Sequence, residues 1–462
     1  MRFLSVILPD YVLENQFSNT PEGVFRIHAL VKMAGHDSQL LDLRNCRNDY
    51  EMECVVKIFV DSKFDICLVS ATTAQGNVLN SFTKSLKAKF PNKLIVLGGT
   101  HVNAISNSMG WHADYLEILH PNVDCFAVGY YWTVAHIKKL ISQMGKGAII
   151  RHDGTKTKDI ILRLPYEDLQ NNSVSRGGGI IHRNGDCEEM LSQNMLFSVG
   201  CAHKCSFCFN EFTCQSRSKP SDVLLEISRR ITRYGINAIK INDDDAFNNL
   251  KWNEKFIEQS RAWNMPMRYL ASTRANVNKN KKKLQQLVEL NVLGLSVLGI
   301  GVEWADDRVL EINNKRVTVK DIKQSIELLS SYSDIEILLY SIFGLPGMDD
   351  RAVDNMMEFI QWCKGKVKHI SMTNFVPLIG TDIYENPEKY GMELMVPMGM
   401  QENIDWGRFY FNGKFDDIKA LSLGETQERH LLRKADVYKC LDECGFLRHE
   451  TKNDAIKAGY LK

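Results

Sequence analysis

Three thiols stand close together in one short run, Val199-Gly200-Cys201-Ala202-His203-Lys204-Cys205-Ser206-Phe207-Cys208. Three residues separate Cys201 from Cys205, and two separate Cys205 from Cys208. Thiolates in such a cluster suit an iron–sulfur centre. Three ligands on a four-iron cluster leave one iron without a protein ligand, open to a small chelating molecule. Other readings of the triplet stand beside this one. A structural zinc site wants a fourth ligand, and His203, the nearest candidate, lies between two of the cysteines, which is poor spacing for a closed tetrahedron. Buried unliganded cysteines and a redox dithiol at Cys205 and Cys208 are the others. The chain has 12 cysteines, but their scatter argues against disulfides. Cys67 and Cys125 lie in apolar, strand-like runs, where cysteine acts as a small hydrophobe. In a reducing compartment a tight cysteine cluster is more often a metal site.

These thiols need a scaffold, and the surrounding pattern supplies one. From Asn194 the chain alternates strand and helix signals. Strands are expected at 194–199, 237–242, 268–273, 294–301, 335–343 and 368–375, with helices near 220–234, 251–263, 280–290, 318–331 and 350–363. Six such units predict a partial β/α barrel over 194–385, with its chemistry at the C-terminal strand ends. The cysteine run follows the first of these strands directly. Residues 1–150 also alternate, with strands near 3–8, 38–43, 64–70, 94–97 and 123–128, which predicts an open parallel sheet covered on both faces. Ligands in such sheets bind beyond the carboxyl ends of the strands. Residues 151–193 read as a linker with a small β element, and 386–462 as a mostly helical capping tail. The fold class expected is therefore α/β, a doubly wound parallel sheet followed by a partial (β/α)6 barrel.

Cys-x-x-x-Cys-x-x-Cys on the first strand-to-helix loop resembles the radical S-adenosylmethionine (SAM) superfamily. The resemblance covers about residues 190–385. It implies that Cys201, Cys205 and Cys208 hold a [4Fe–4S] cluster whose open iron binds SAM, and that one electron cleaves SAM to methionine and a 5′-deoxyadenosyl radical. It implies an electron donor such as flavodoxin or ferredoxin. Phe207 matches the aromatic that the family often places near the adenine. Asp244, in Asn242-Asp243-Asp244-Asp245, falls at the SAM side of the rim; as plain structure this run is a helix N-cap. Arg274, ending the third strand, could pair with the methionine carboxylate of SAM or form an ordinary ion pair. Glu303, in Gly299-Ile300-Gly301-Val302-Glu303 and followed by Asn314-Lys315-Arg316, could accept hydrogen bonds from SAM. Gly344, in Gly344-Leu345-Pro346-Gly347, could expose backbone to an adenine edge or simply make a tight turn.

A doubly wound domain before such a barrel resembles the cobalamin-binding branch of the superfamily. The matching residues are Ser70, in Val69-Ser70-Ala71, and Gly98 and Gly99, in Leu97-Gly98-Gly99-Thr100-His101. The resemblance places them around the corrin and its nucleotide tail. Two departures stand against it. The Asp-x-His-x-x-Gly motif is absent after the first strand, so no histidine is assigned to cobalt. Where many members carry Gly-Glu-Gly-Glu, this chain has Gly129-Tyr130-Tyr131-Trp132.

Charge and length set the outer limits. Lysine plus arginine number 57 and aspartate plus glutamate 56, which gives no pull toward nucleic acid or an anionic membrane surface. No apolar run reaches the roughly 20 residues of a membrane span, and the N-terminus reads as a buried strand, so a cytoplasmic location is expected. The expected function is a cobalamin-dependent radical SAM methyltransferase acting on an unactivated carbon or on phosphorus of a small biosynthetic intermediate. The alternatives are a cobalamin-independent dehydratase, redox or rearrangement enzyme acting on a sugar or aminocyclitol, and a non-catalytic iron–sulfur or zinc protein. Trp406, Arg408, Tyr410 and Asn412 alternate and could line the barrel mouth or form an edge strand. Cys440 and Cys444 read as helix core or as auxiliary-cluster ligands.

Overall fold

The structure is a computed structural model that describes residues 1–11, 21–108, 113–129, 132–151, 175–181, 187–209, 216–264, 267–395, 418–447, 449–457 and 459–461. Trp406, Arg408, Tyr410, Asn412, Tyr130 and Tyr131 lie outside the described residues. The chain divides into two compact units, one holding the described residues up to Glu189 and the other those from Met190 onward.

The first unit is an open parallel sheet. Its strands are β1 (Arg2–Ile7), β2 (Asp37–Asp42), β3 (Ile66–Ser70), β4 (Leu94–Gly98), β5 (Cys125–Val128) and β6 (Ala148–Arg151), in spatial order β2-β1-β3-β4-β5-β6. Helices α1 (Glu22–Met33), α2 (Asp49–Phe59), α3 (Gly76–Lys89), α4 (Thr100–Asn107), α5 (Ala113–Leu119) and α6 (Val134–Gln143) connect them. The central strands are apolar without alternation, as in Ile66-Cys67-Leu68-Val69, because helices cover both faces. Phe3, Leu30, Ile66, Val96, Trp132 and Ile137 share one buried cluster. The strand order reverses between β1 and β3, which makes their carboxyl ends the switch-point crevice. Gln75 spans that crevice, donating from Nε2 to the Leu8 carbonyl (3.2 Å) and the Pro9 carbonyl (3.3 Å). The stretch expected as a linker with a β element contains a strand, β7 (Ser175–Ile181).

The second unit holds six parallel strands in chain order: β8 (Cys187–Met195), β11 (Ala238–Ile241), β12 (Arg268–Arg274), β13 (Leu295–Glu303), β14 (Glu336–Phe343) and β15 (His369–Asn374). This is the curled half-barrel that six β/α repeats build. Helices α7 (Pro220–Tyr234), α8 (Leu250–Trp263), α9 (Lys281–Val292), α10 (Asp307–Ile312), α11 (Val319–Tyr332) and α12 (Asp350–Trp362) lie between the strands in sequence. The starts of α8 to α12 are fixed by side chains: Asn249 Oδ1 accepts from Trp252 N, for example, and Thr318 and Asp321 form a reciprocal capping box. Phe197, Trp252, Phe256 and Tyr269 pack together, with Trp252 and Phe256 stacked at 4.9 Å. The first barrel strand ends at Met195, earlier than the expected 194–199. The chain then makes a two-residue strand β9 (Ser198–Val199), antiparallel to β10 (Ser216–Arg217). The tail expected to be mostly helical also contains an antiparallel pair, β16 (Met392–Leu394) and β17 (Ala420–Ser422), before helices α13 (Gln427–Glu443) and α14 (His449–Lys457). Among the described residues, no helix is long and apolar enough to cross a membrane.

Candidate radical SAM site

The cysteine loop leaves β9 at Gly200 and is held from three sides. Asp243, at the end of β11, is buried and accepts from the backbone N–H groups of Phe197 (2.8 Å) and Ser198 (2.9 Å). Asp244 accepts from Gly200 N at 3.1 Å. Asp245 reaches the other way, accepting from Thr273 Oγ1 (2.8 Å) and Arg274 N (3.3 Å) at the end of β12. Three adjacent acids therefore tie three strand ends together. Burial pushes the Asp243 carboxyl up to about 6, although the Ser198 hydroxyl, the two N–H donors and Arg217 all favour its charged form.

The opposite side of the loop is held by Asn313 and Asn314. Ser206 donates its N–H to the Asn313 carbonyl and its hydroxyl to Asn313 Oδ1, each at 3.2 Å. Asn314 Nδ2 donates to the Lys204 carbonyl. Ile383 N donates to the Ser206 carbonyl at 3.3 Å. Asn314 and Arg316 take positive φ values of 52° and 57°, and Glu303 takes 63°. Such conformations cost free energy in non-glycine residues and collect where geometry is demanding.

Cys201 and Cys205 are half-buried, and Cys208 is exposed by area. The Cys208 sulfur nonetheless sits in a concavity crowded enough that burial, then the nearby Cys205, Asp244, Cys201 and Glu303, push its thiol up to about 12. A bound iron centre reverses this, because its positive charge favours thiolate. Among the described residues, no three His, Cys, Asp or Glu side chains converge as a single metal ion requires. Three cysteine thiols on one strand-end loop are a donor set that fits a [4Fe–4S] cluster.

Around the loop, the rim presents the remaining groups. Arg274 is buried; its Nη1 donates to Cys205 Sγ at 3.3 Å and its Nη2 to the Lys315 carbonyl. Both amino groups of this guanidinium are thus engaged with the protein, and Nε alone is unpartnered. A hydrogen bond to a ligand sulfur is one way a protein sets a cluster's potential. Glu303 follows a bulge between Gly301 and Glu303 in the β13–β14 pairing, and pairs with the buried Lys315. Its carboxylate lies over Gly301, where a Cβ would come within 2.7 Å of Oε1. One register step back, a Cβ on Gly299 would lie 2.3 Å from the Tyr340 ring. The two glycines thus clear the wall for a polar pair and for an aromatic. Phe207 is half-buried and Asp244 exposed. The sequence pattern did not single out Asn313 or Tyr340.

In the first unit, Gly98 and Gly99 serve internal packing. A Cβ on Gly99, whose φ is 100°, would meet the Ala71 carbonyl at 2.6 Å and Ser70 Oγ at 2.8 Å; one on Gly98 would meet the Ala127 carbonyl at 3.3 Å. Of the three residues expected at a corrin, the half-buried Ser70 hydroxyl, beside the switch-point crevice, is the one with a polar side chain to offer.

The comparison with known families converges on the same loop. The model of the radical SAM superfamily matches residues 195–360. This stretch is a radical SAM domain. The match ends short of β15 and begins after the first unit. A curated relative, the anaerobic magnesium-protoporphyrin IX monomethyl ester cyclase of Cereibacter sphaeroides, is 24% identical over 296 residues, which is 61% of this chain and 46% of that protein. The chain thus spans about half the length of that relative. Among solved structures, the fold is similar to TsrM from Kitasatospora setae, a radical SAM methyltransferase with cobalamin and a [4Fe–4S] cluster bound. That likeness has a TM-score of 0.66 at 12% identity and covers 95% of this chain and 88% of the other. OxsB, a cobalamin-dependent radical SAM enzyme, is similar with a TM-score of 0.58 at 12% identity, over 94% of this chain and 65% of that one. The order of open sheet, half-barrel and tail is therefore a fold that cobalamin-dependent radical SAM enzymes use.

Proposed function

We propose that this chain is a cobalamin-dependent radical SAM methyltransferase acting on a carbon or phosphorus centre of a small biosynthetic intermediate in the cytoplasm. The observation that carries the radical SAM part is the cysteine loop, fixed at the strand-end rim by Asp243, Asp244, Asn313 and Asn314. Cys201, Cys205 and Cys208 would hold the cluster, and Asp244, Glu303, Phe207 and the Gly344 turn would face SAM. Bound together, these cofactors supply an electron, a 5′-deoxyadenosyl radical and a transferable methyl group. The protein's own part is to hold and exclude. Arg274 keeps a donor at Cys205 Sγ, and Lys315 holds the Glu303 carboxylate in place. The cobalamin part rests on the whole-chain likeness of fold and on the crevice between β1 and β3, with Ser70 beside it.

A second reading is favoured by one observation. Gly98 and Gly99 are filled in by the unit's own backbone, so these glycines do not require a corrin. A radical SAM dehydratase, redox or rearrangement enzyme that keeps the first unit as a scaffold fits that fact. One experiment separates the readings. The protein is reconstituted anaerobically with iron, sulfide and hydroxocobalamin, then given SAM and dithionite. The methyltransferase reading expects a co-purifying corrin absorbance, with 5′-deoxyadenosine and S-adenosylhomocysteine both formed. 5′-Deoxyadenosine alone, without corrin, selects the second reading. An intact cluster with no SAM cleavage sinks both. Replacing any of the three cysteines by alanine should abolish iron loading and 5′-deoxyadenosine.

A further inference from the structure

The parallel strands of the half-barrel have two faces, and side-chain burial tells them apart. Tyr269 packs edge-on to Phe256 of α8 at 5.9 Å, so its side of the sheet is the helix-covered one. Its register neighbour Ile239 shares that side and is fully buried. Successive residues of a strand point opposite ways, so Lys240 and its register neighbour Leu270 face the hollow of the half-barrel. Further along β12, on the same hollow side, Arg274 reaches Cys205 Sγ. Leu270 precedes Arg274 by four residues, roughly 13 Å along a strand. Lys240 is therefore rooted deep in the hollow, below the cysteine loop. Between the two levels lies Gly299, paired with Ser272 and covered by the Tyr340 ring. The hollow is open: Lys240, Leu270, Ser272 and Leu338 are partly exposed, and Tyr340 is 41% exposed.

Lys240 has no charge to answer its own. No hydrogen bond or ion pair engages it among the described residues, and burial is the one influence on its ammonium, pulling it below its usual value. The acid at the same depth, Glu336, stands three strands away on β14 and pairs with Lys368 at 3.7 Å. A half-buried ammonium without a counter-charge is unfavourable until an anion comes beside it. Leu270, Leu338 and the Tyr340 ring give the wall around it an apolar lining. One cation low in an apolar hollow, with the cysteine loop above, orients a ligand that has one acidic end. We propose that Lys240 binds the carboxylate of the substrate, a small acid whose apolar body lies across Tyr340 and whose reacting atom points up to the rim. This rests on the radical SAM reading of the loop and gives its substrate a chemical class.

The test titrates the cluster-reconstituted full chain, without reductant, with phenylacetate and octanoate, each beside its neutral amide, by saturation-transfer NMR. Wild type should bind at least one of the two acids about tenfold tighter than its amide, the scale of a charge-assisted hydrogen bond. Lys240→Met should bring that ratio near one, and Lys240→Arg should keep most of it. A measurement on wild type alone covers the case in which Lys240→Met does not fold. Trace acetylation with acetic anhydride, read by peptide mass spectrometry, should slow at Lys240 in the presence of the acid and not of the amide. A ratio near one for both pairs in wild type, a ratio that survives in Lys240→Met, or acetylation of Lys240 that ignores the acid overturns the assignment. Formation of 5′-deoxyadenosine from SAM and dithionite is measured separately. A protein that cleaves SAM but does not discriminate the acids loses this assignment alone. One that discriminates them but, with an intact cluster, cleaves no SAM loses the radical SAM reading, and Lys240 is then an anion site but no substrate anchor.

Discussion

Gly299 shows at the scale of one residue how the barrel wall is shaped. The Tyr340 ring occupies the space a Cβ would need, 2.3 Å away, and Tyr340 is 41% exposed. Gly299→Ala must therefore drive a ring off its seat. Overpacking of this kind costs about 1–3 kcal/mol. We expect Gly299→Ala to lower the melting temperature, and Tyr340→Ala in the same chain to restore most of the loss. Independent, additive losses in the double-mutant cycle would show that the two do not share this space. The cysteine triplet was legible from sequence because its spacing is local. Asn313 was not, because its role exists only through partners far along the chain. Ser206 and Asn313, for example, lie 107 positions apart. Asp243 was visible in its acidic run, but the run did not reveal that Asp243 and Asp245 turn inward while Asp244 stays exposed.

At the scale of elements, the loop after β11 does the work that a longer first barrel strand was expected to do. The expected strand at 194–199 breaks after Met195, and Asp243 takes up the freed N–H groups of Phe197 and Ser198. Asp243→Ala leaves three buried donors unpaired, the N–H groups of Phe197 and Ser198 and the Ser198 hydroxyl, at about 1–3 kcal/mol each. It should lower both thermal stability and iron bound per chain. Asp243→Asn keeps an acceptor oxygen and should lose less of both. Equal iron loading in wild type and the alanine variant, measured by metal analysis, would remove Asp243 from the account of the loop. The other five barrel strands fall within a residue or two of their expected places, since apolar runs bounded by helix caps mark them. The break after Met195 was illegible because Leu196 and Phe197 continue the apolar run.

At the scale of the whole molecule, the two units were readable from alternating strand and helix signals, but their responses to pH were not. The first unit buries a histidine pair. His101 Nε2 meets His120 Nε2 at 3.0 Å, and His120 Nδ1 meets Asn80 Oδ1 at 2.8 Å. Burial pulls His101 down to about 4, and burial with the neighbouring His101 pulls His120 well below its usual value. Both folded values lie below the roughly 6.5 of an unfolded histidine. The unfolded chain therefore binds more protons across that window, so stability is full above about pH 6.5 and drains away toward pH 4. For His101 the loss approaches roughly 3 kcal/mol at the acid end. Asp243 in the second unit has the opposite sign, because its folded value is raised to about 6: its stabilisation is complete below the unfolded carboxylate value and is lost as pH rises through 6. Acidification from pH 7 to 5 should then loosen the first unit more than the second. Hydrogen exchange on peptides from β4 and β5, against peptides from β11 and β12, measures this directly. Replacing both histidines with residues that do not titrate should flatten the response of the first unit alone. Equal loosening of both units, or no change in the double variant, would place the acid sensitivity elsewhere.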